Sequence, residues 1–103
     1  GATDTQEPTL ARDKKEQRRA AAAARATLQP LQKKIRQLEA AMEDEQAALS
    51  RLDETLADPG LYEADRKDRL QTLLQEQGLR RQRLAELEND WLSQQEALEA
   101  HGG

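Results

Sequence analysis

The stretch that decides the fold is LQPLQKKIRQLEAAMEDEQAALSRLDETL, residues 28–56. Nine of its positions alternate at spacings of three and four, and eight of these nine are apolar. They are Leu28, Leu31, Ile35, Leu38, Met42, Glu45, Leu49, Leu52 and Leu56. This is the a/d pattern of a coiled-coil helix, whose apolar seam needs a partner to bury it.

A second, weaker heptad run follows a strong helix breaker, Ala57-Asp58-Pro59-Gly60. Its positions are Leu70, Leu73, Gln77, Arg80, Leu84, Leu87, Trp91, Gln94, Leu98 and His101. Two long seams joined by so short a connection bury each other by folding back. The sequence therefore predicts an all-α, antiparallel two-helix coiled-coil hairpin over residues 30–101, monomeric, with helices at 30–57 and 65–101 around a tip at 58–64.

Polar seam positions set the register of this hairpin. Folding back places Glu45 opposite Gln77 and Arg80, so we predict a Glu45–Arg80 contact in an internal polar layer. The same register brings Trp91 against the start of the first helix as a packing residue. At the tip, Asp58 is expected to cap a short turn whose residues Leu61 and Tyr62 cover the last seam layer.

The N-terminal part of the chain has a different composition. Residues 1–9 are predicted to be a disordered tail or a cloning remnant, and residues 10–29 a basic, Ala-rich helical lead-in. Pro30 predicts a helix start or a kink near 27–31, with Thr27 favoured over Gln29 as its cap. Residues 102–103 form a glycine tail.

Charge is distributed unevenly along the chain, whose formal net charge is −4. Residues 1–29 contain six basic and four acidic side chains, a balance of +2, and residues 30–103 contain ten and sixteen, a balance of −6. The six bases fall within about 160° on a helical lead-in at ~100° per residue. They are Arg12, Lys14, Lys15, Arg18, Arg19 and Arg25. A one-sided basic helix favours contact with nucleic-acid phosphates, and a solvated linker helix is the alternative.

Residues that could support catalysis or bind a metal or cofactor are scarce. The chain has no Cys and one His, His101, close to its end, so we expect no catalytic and no metal site. Phosphate-binding glycine motifs are absent, so no cofactor is expected. The longest apolar run is Ala20 to Ala24, so neither a membrane span nor a secretory signal is expected. These features predict a non-enzymatic protein without membrane contact.

Three segments together resemble the C-terminal domain of ABC-F ATPases of the Uup/YheS-like branch: KKEQRRAAAAARATLQPLQKKIRQLEAAM (14–42), LADPGLYEADRKDRL (56–70) and ELENDWLSQQEALEA (86–100). The likeness covers roughly residues 10–101. It implies a cytoplasmic parent protein with two upstream ATP- and Mg-binding cassettes, which this chain lacks, and a ribosome-associated role. It also implies contact with DNA or ribosomal RNA through the lead-in and through Lys33, Lys34 and Arg36 at the start of the hairpin.

Two functions remain open at this point. The first is a non-catalytic accessory domain of an ABC-F ATPase that contacts DNA or ribosomal RNA by phosphate-directed basic residues. The second is a structural or protein-interaction coiled coil that docks on the parent ATPase cassettes or on a ribosomal protein.

Overall fold

A computed structural model describes residues 2–102, with side chains for residues 9–101. Helix α1 spans Ala2–Leu56 and helix α2 spans Lys67–Gly102, with 3-10 turns at Pro59–Tyr62 and Ala64–Arg66 between them. The helices pack antiparallel in an extended hairpin that measures 96 × 16 × 15 Å. The predicted all-α hairpin is confirmed.

The core of the hairpin is the predicted seam. The buried seam residues are Ile35, Leu38, Leu52, Leu56, Leu73 and Leu87, and Ala48 and the tip residue Leu61 are buried beside them. Three leucines of α2 that lie outside its a/d positions are exposed: Leu74 by 48%, Leu79 by 68% and Leu92 by 51%. They are exposed because two helices bury only a narrow stripe on each other, and no third element among the described residues covers the flanks.

The tip closes the tightly packed end of the seam. Asp58 caps the first 3-10 turn, where its Oδ1 accepts a hydrogen bond of 3.0 Å from the Gly60 amide. Leu61 is 4% exposed and packs with Leu52, Leu56 and Leu73, as predicted. Tyr62 differs, because 58% of it is exposed. Its hydroxyl donates to the Leu56 carbonyl at 2.7 Å, which satisfies one of the free carbonyls at the end of α1.

The polar layer confirms the predicted register. Arg80 Nη1 lies 3.2 Å from Glu45 Oε2, and Arg80 Nε lies 3.2 Å from Glu76 Oε1. Hydrogen bonds to Glu76, and then to Glu45, raise the pKa of Arg80 above its ordinary value. Gln77 bonds to another residue of α1, since its Nε2 donates to Asp53 Oδ1 at 2.9 Å.

Helix α1 runs through Pro30 without ending. The sequence predicted a helix start or kink at 27–31 with Thr27 as cap; Thr27 instead lies inside the helix, where its hydroxyl donates to the Ala23 carbonyl at 3.0 Å. A proline inside a helix costs about 3 kcal/mol because it removes one backbone hydrogen bond and crowds the preceding turn. Packing of Leu28 and Leu31, both half-buried, helps to offset that cost.

The chain ends allow fewer comparisons with the prediction. A tail was predicted at residues 1–9, and the side chains of residues 1–8 lie outside the described part of the chain. The described backbone is helical from Ala2. Of the predicted glycine tail, Gly102 ends α2 and Gly103 lies outside the described residues.

Candidate nucleic-acid interface

The two helices differ in length, so part of α1 has no partner helix. Glu45 faces Arg80, and counting outward from this pair, one residue for one, brings Gly102 opposite Ala23. Residues 9–22 therefore project beyond the end of α2. Every side chain from residue 9 to residue 27 is exposed. We call residues 9–22 the arm.

Because α1 is uninterrupted, one angular count of ~100° per residue applies from the arm into the hairpin. Eight of the nine sequence-predicted contact residues then share an arc of about 160°. They are Arg12, Lys14, Lys15, Arg18, Arg19, Arg25, Lys33 and Arg36. We call this set the basic face. It is exposed along its whole length and lies on the side of α1 opposite the seam.

Lys34, the ninth predicted residue, lies about 40° beyond the edge of the basic face at ~100° per residue. The acidic side chains of residues 9–42 are Asp13, Glu16 and Glu39, and all three lie outside the arc. From Arg12 to Arg36 the basic face extends roughly 36 Å at ~1.5 Å per residue. This part of α1 therefore presents one continuous positive surface.

The charges of the basic face form no ion pair with any other residue whose side chain the structure describes. Among residues 9–101 the ion pairs are Glu45–Arg80, Glu76–Arg80 and Arg83–Glu86, so none involves a residue of the basic face or Lys34. The guanidinium and ammonium groups are thus free to bind an anion. Arg80 and Arg83, by contrast, already have carboxylate partners, which makes the basic cluster at 80–83 a poorer candidate.

The described residues offer little for other kinds of site. Two surface hollows occur on α1, one lined by Asp13, Glu16, Gln17 and Ala20 and the other by Arg25, Leu28, Gln29 and Gln32. Within the described part of the chain, no group of three or more His, Cys, Asp or Glu could hold a metal ion. None of its helices is long and apolar enough to cross a membrane.

The sequence identified the basic residues but not their arrangement. Lys33 and Arg36 lie on the same face as the arm residues only because the helical phase is kept across Pro30. A helix start at 27–31, one of the two expectations for Pro30, would place the two groups on separate helices. The sequence signal for one common face was the helical periodicity. Counting ~100° per residue from Arg12 places Lys33 and Arg36 within the same arc as the bases of the arm.

No protein-family model, curated protein or solved structure matches this chain. The class that the structure defines is an extended two-helix, all-α hairpin. Among the described residues, α1 extends beyond the end of α2 and has a basic face on the side away from it.

Proposed function

We propose that this chain is a non-catalytic module that contacts DNA or RNA through the phosphates. The observation that carries the proposal is the basic face: eight exposed bases on one side of one helix, with no acid among them over residues 11–42. Each phosphate neutralised by such a side chain releases condensed counterions, which supplies sequence-independent affinity.

The chemistry of the basic face also limits the mode of binding. No aromatic residue occurs among residues 1–61, so bases have nothing to stack on along the arm. Lys and Arg contacts to phosphate position a protein on nucleic acid without reading its sequence. Binding through this face is therefore tolerant of sequence and depends strongly on salt.

The finer proposal is that the module is the C-terminal accessory domain of a cytoplasmic, ribosome-associated ABC-F ATPase of the Uup/YheS-like branch. It rests on the resemblance of segments 14–42, 56–70 and 86–100, and on a hairpin with the tip and seam those segments imply. In that setting the upstream cassettes of the same protein bind ATP and Mg, and this chain supplies nucleic-acid contact.

The test is a fluorescence-anisotropy titration of labelled duplex DNA and a ribosomal-RNA hairpin across a salt series. We expect micromolar affinity, with the logarithm of the binding constant falling by roughly 0.9 per contacted phosphate for each tenfold rise in salt on the duplex. The variant Lys14→Glu/Lys15→Glu/Arg18→Glu/Arg19→Glu should abolish binding, because it reverses four charges of the basic face.

A matched control carries the same change of charge at the other end of the molecule. Arg51→Glu/Arg66→Glu/Lys67→Glu/Arg69→Glu reverses four exposed bases around the tip and should keep most of the affinity. If the arm variant binds as well as the native chain, or if both variants lose affinity equally, the basic face is not the contact surface.

One observation favours the second function, docking on another protein. Leu10 is 58% exposed, and at heptad spacing Leu10, Ala21 and Ala24 continue the seam of α1 beyond its partner. Docking of that strip on an ATPase cassette or a ribosomal protein predicts no nucleic-acid binding at moderate salt. It also predicts association that survives the fourfold charge reversal but is lost in Leu10→Glu.

A further inference from the structure

The basic residues of the arm and its junction with the hairpin form two rows. At ~100° per residue, Lys14, Arg18 and Arg25 form one row and Arg12, Lys15 and Arg19 form another, with their centres about 115° apart. The gap between the rows contains Ala11 and Ala22, both exposed. The outer side of this segment therefore presents positive charge along two edges and only methyl groups between them.

The arm is also thinner than the rest of the molecule. A single helix with its side chains is about 10–12 Å across. Beyond residue 23 α2 lies alongside α1, and packed helix axes stand about 8–10 Å apart, so the pair is close to twice as wide. Among the residues with described side chains, only the arm has the cross-section of a lone helix.

From these two observations we propose that the arm seats lengthwise in the major groove of B-form DNA. This inference rests on the proposed nucleic-acid function and narrows its substrate class. The B-form major groove is about 12 Å wide and admits one helix, whereas the minor groove is about 6 Å wide. The major groove of an A-form RNA duplex is deep and narrow, and side chains do not reach into it.

The two rows then have separate partners. Phosphates of both strands border the groove, so one row of bases faces each strand. Alanine at positions 11 and 22 lets the helix backbone approach the groove floor, where small apolar groups contact thymine methyls without selecting a sequence strongly. The point at which α2 joins, near residue 23, limits how far the helix enters.

The first test compares affinities of the full chain for a 20-bp DNA duplex, an RNA duplex of the same sequence and the single DNA strand, at one salt concentration. We expect the DNA duplex to bind about tenfold more tightly than the RNA duplex, because only its major groove admits the arm. Methyl green, a major-groove ligand, should compete with the protein, and netropsin, a minor-groove ligand, should not.

The second test is a pair of substitutions two residues apart with the same change of charge. Ala22→Glu places a carboxylate between the two rows, facing the groove, whereas Ala20→Glu lies about 160° away on the opposite side of the helix. We expect Ala22→Glu to lose about tenfold or more in affinity for DNA and Ala20→Glu to lose about twofold or less. Circular dichroism checks that both variants remain equally helical.

The outcomes separate this inference from the proposed function. Equal affinity for the DNA and RNA duplexes, competition by netropsin alone, or equal losses in the two variants would overturn groove binding and leave nucleic-acid contact standing. Failure to bind any duplex at low salt would overturn both.

Discussion

Helix α1 contains two regions that share one continuous backbone and differ in what covers them. Over residues 28–56 the inner positions are mostly Leu, Ile and Met, and α2 buries them. Over residues 9–27 the apolar positions that continue the seam at heptad spacing are Leu10, Ala21 and Ala24, and every side chain is exposed. The comparison shows that burial of large side chains stabilises the hairpin, whereas the arm depends on helix propensity and on continuity with the paired helix.

The largest expected change in stability comes from a substitution in the core of the paired region. Leu73 is 4% exposed in the tip cluster, so Leu73→Ala removes buried methyl groups and should lower the free energy of unfolding by about 2–5 kcal/mol. Leu79→Ala, at a leucine 68% exposed on the same helix, should change it by less than about 0.5 kcal/mol. Urea denaturation followed by circular dichroism measures both. Similar losses in the two variants would show that the seam is not the core.

The boundary between the two regions is tested at Pro30. Pro30→Ala restores a backbone donor inside α1 and should raise the free energy of unfolding by up to about 3 kcal/mol, with a gain in helical signal. Gln29→Ala, at the exposed neighbouring position, serves as the control and should change stability by less than about 0.5 kcal/mol. A loss of stability in Pro30→Ala would mean that the proline shapes a bend that the hairpin needs.

A smaller effect is expected at Gly78 in the middle of α2. A Cβ built there meets no atom within 4 Å, so Gly78→Ala gains helix propensity without a clash and should stabilise the hairpin by roughly 0.5–1 kcal/mol. The reverse change, Ala85→Gly at an exposed position of the same helix, should cost about as much. Thermal denaturation of the pair measures both shifts, and a destabilised Gly78→Ala would contradict the open space beside Gly78.

The smallest effect concerns the polar layer. A double-mutant cycle with Glu45→Gln and Arg80→Gln should give only a weak coupling, because the side chain of Arg80 is 37% exposed and water screens the pair. A parallel cycle with Glu76→Gln and Arg80→Gln, on the i,i+4 partner of Arg80, should give a coupling that is also weak. Coupling of several kcal/mol in the first cycle would mean that the pair governs stability as well as alignment.

The accuracy of the structure predicted from the sequence differs between kinds of residue. Leucine spacing predicted both helices and their core, and Asp58-Pro59-Gly60 predicted the tip, because breaker chemistry is local. Glu45 and Arg80 could be paired in advance, since a polar residue within an apolar seam has few favourable partners. The predicted helix start near Pro30 was wrong, because the proline's cost of about 3 kcal/mol is a local quantity that packing on either side can offset.

The candidate contact surface was predictable in composition and less so in geometry. The bases of the arm stand out by charge alone, and all nine candidate residues were named from the sequence. That the bases of the arm share one face with Lys33 and Arg36 follows only once α1 is known to be one continuous helix. The exposure of Leu74, Leu79 and Leu92 likewise depended on how many helices pack together, which periodicity does not specify.

By itself, the sequence determined that this chain is helical, that it folds back at one breaker, and that its positive charge is concentrated toward one end. Tertiary structure alone decided the register of α2 along α1, which sets Arg80 against Glu45 and Gly102 opposite Ala23. It also decided that α1 continues as one helix through Pro30. The physical reason is that helix propensity and breaker chemistry act over a few residues, whereas register and continuity are settled by packing along the entire length of the hairpin.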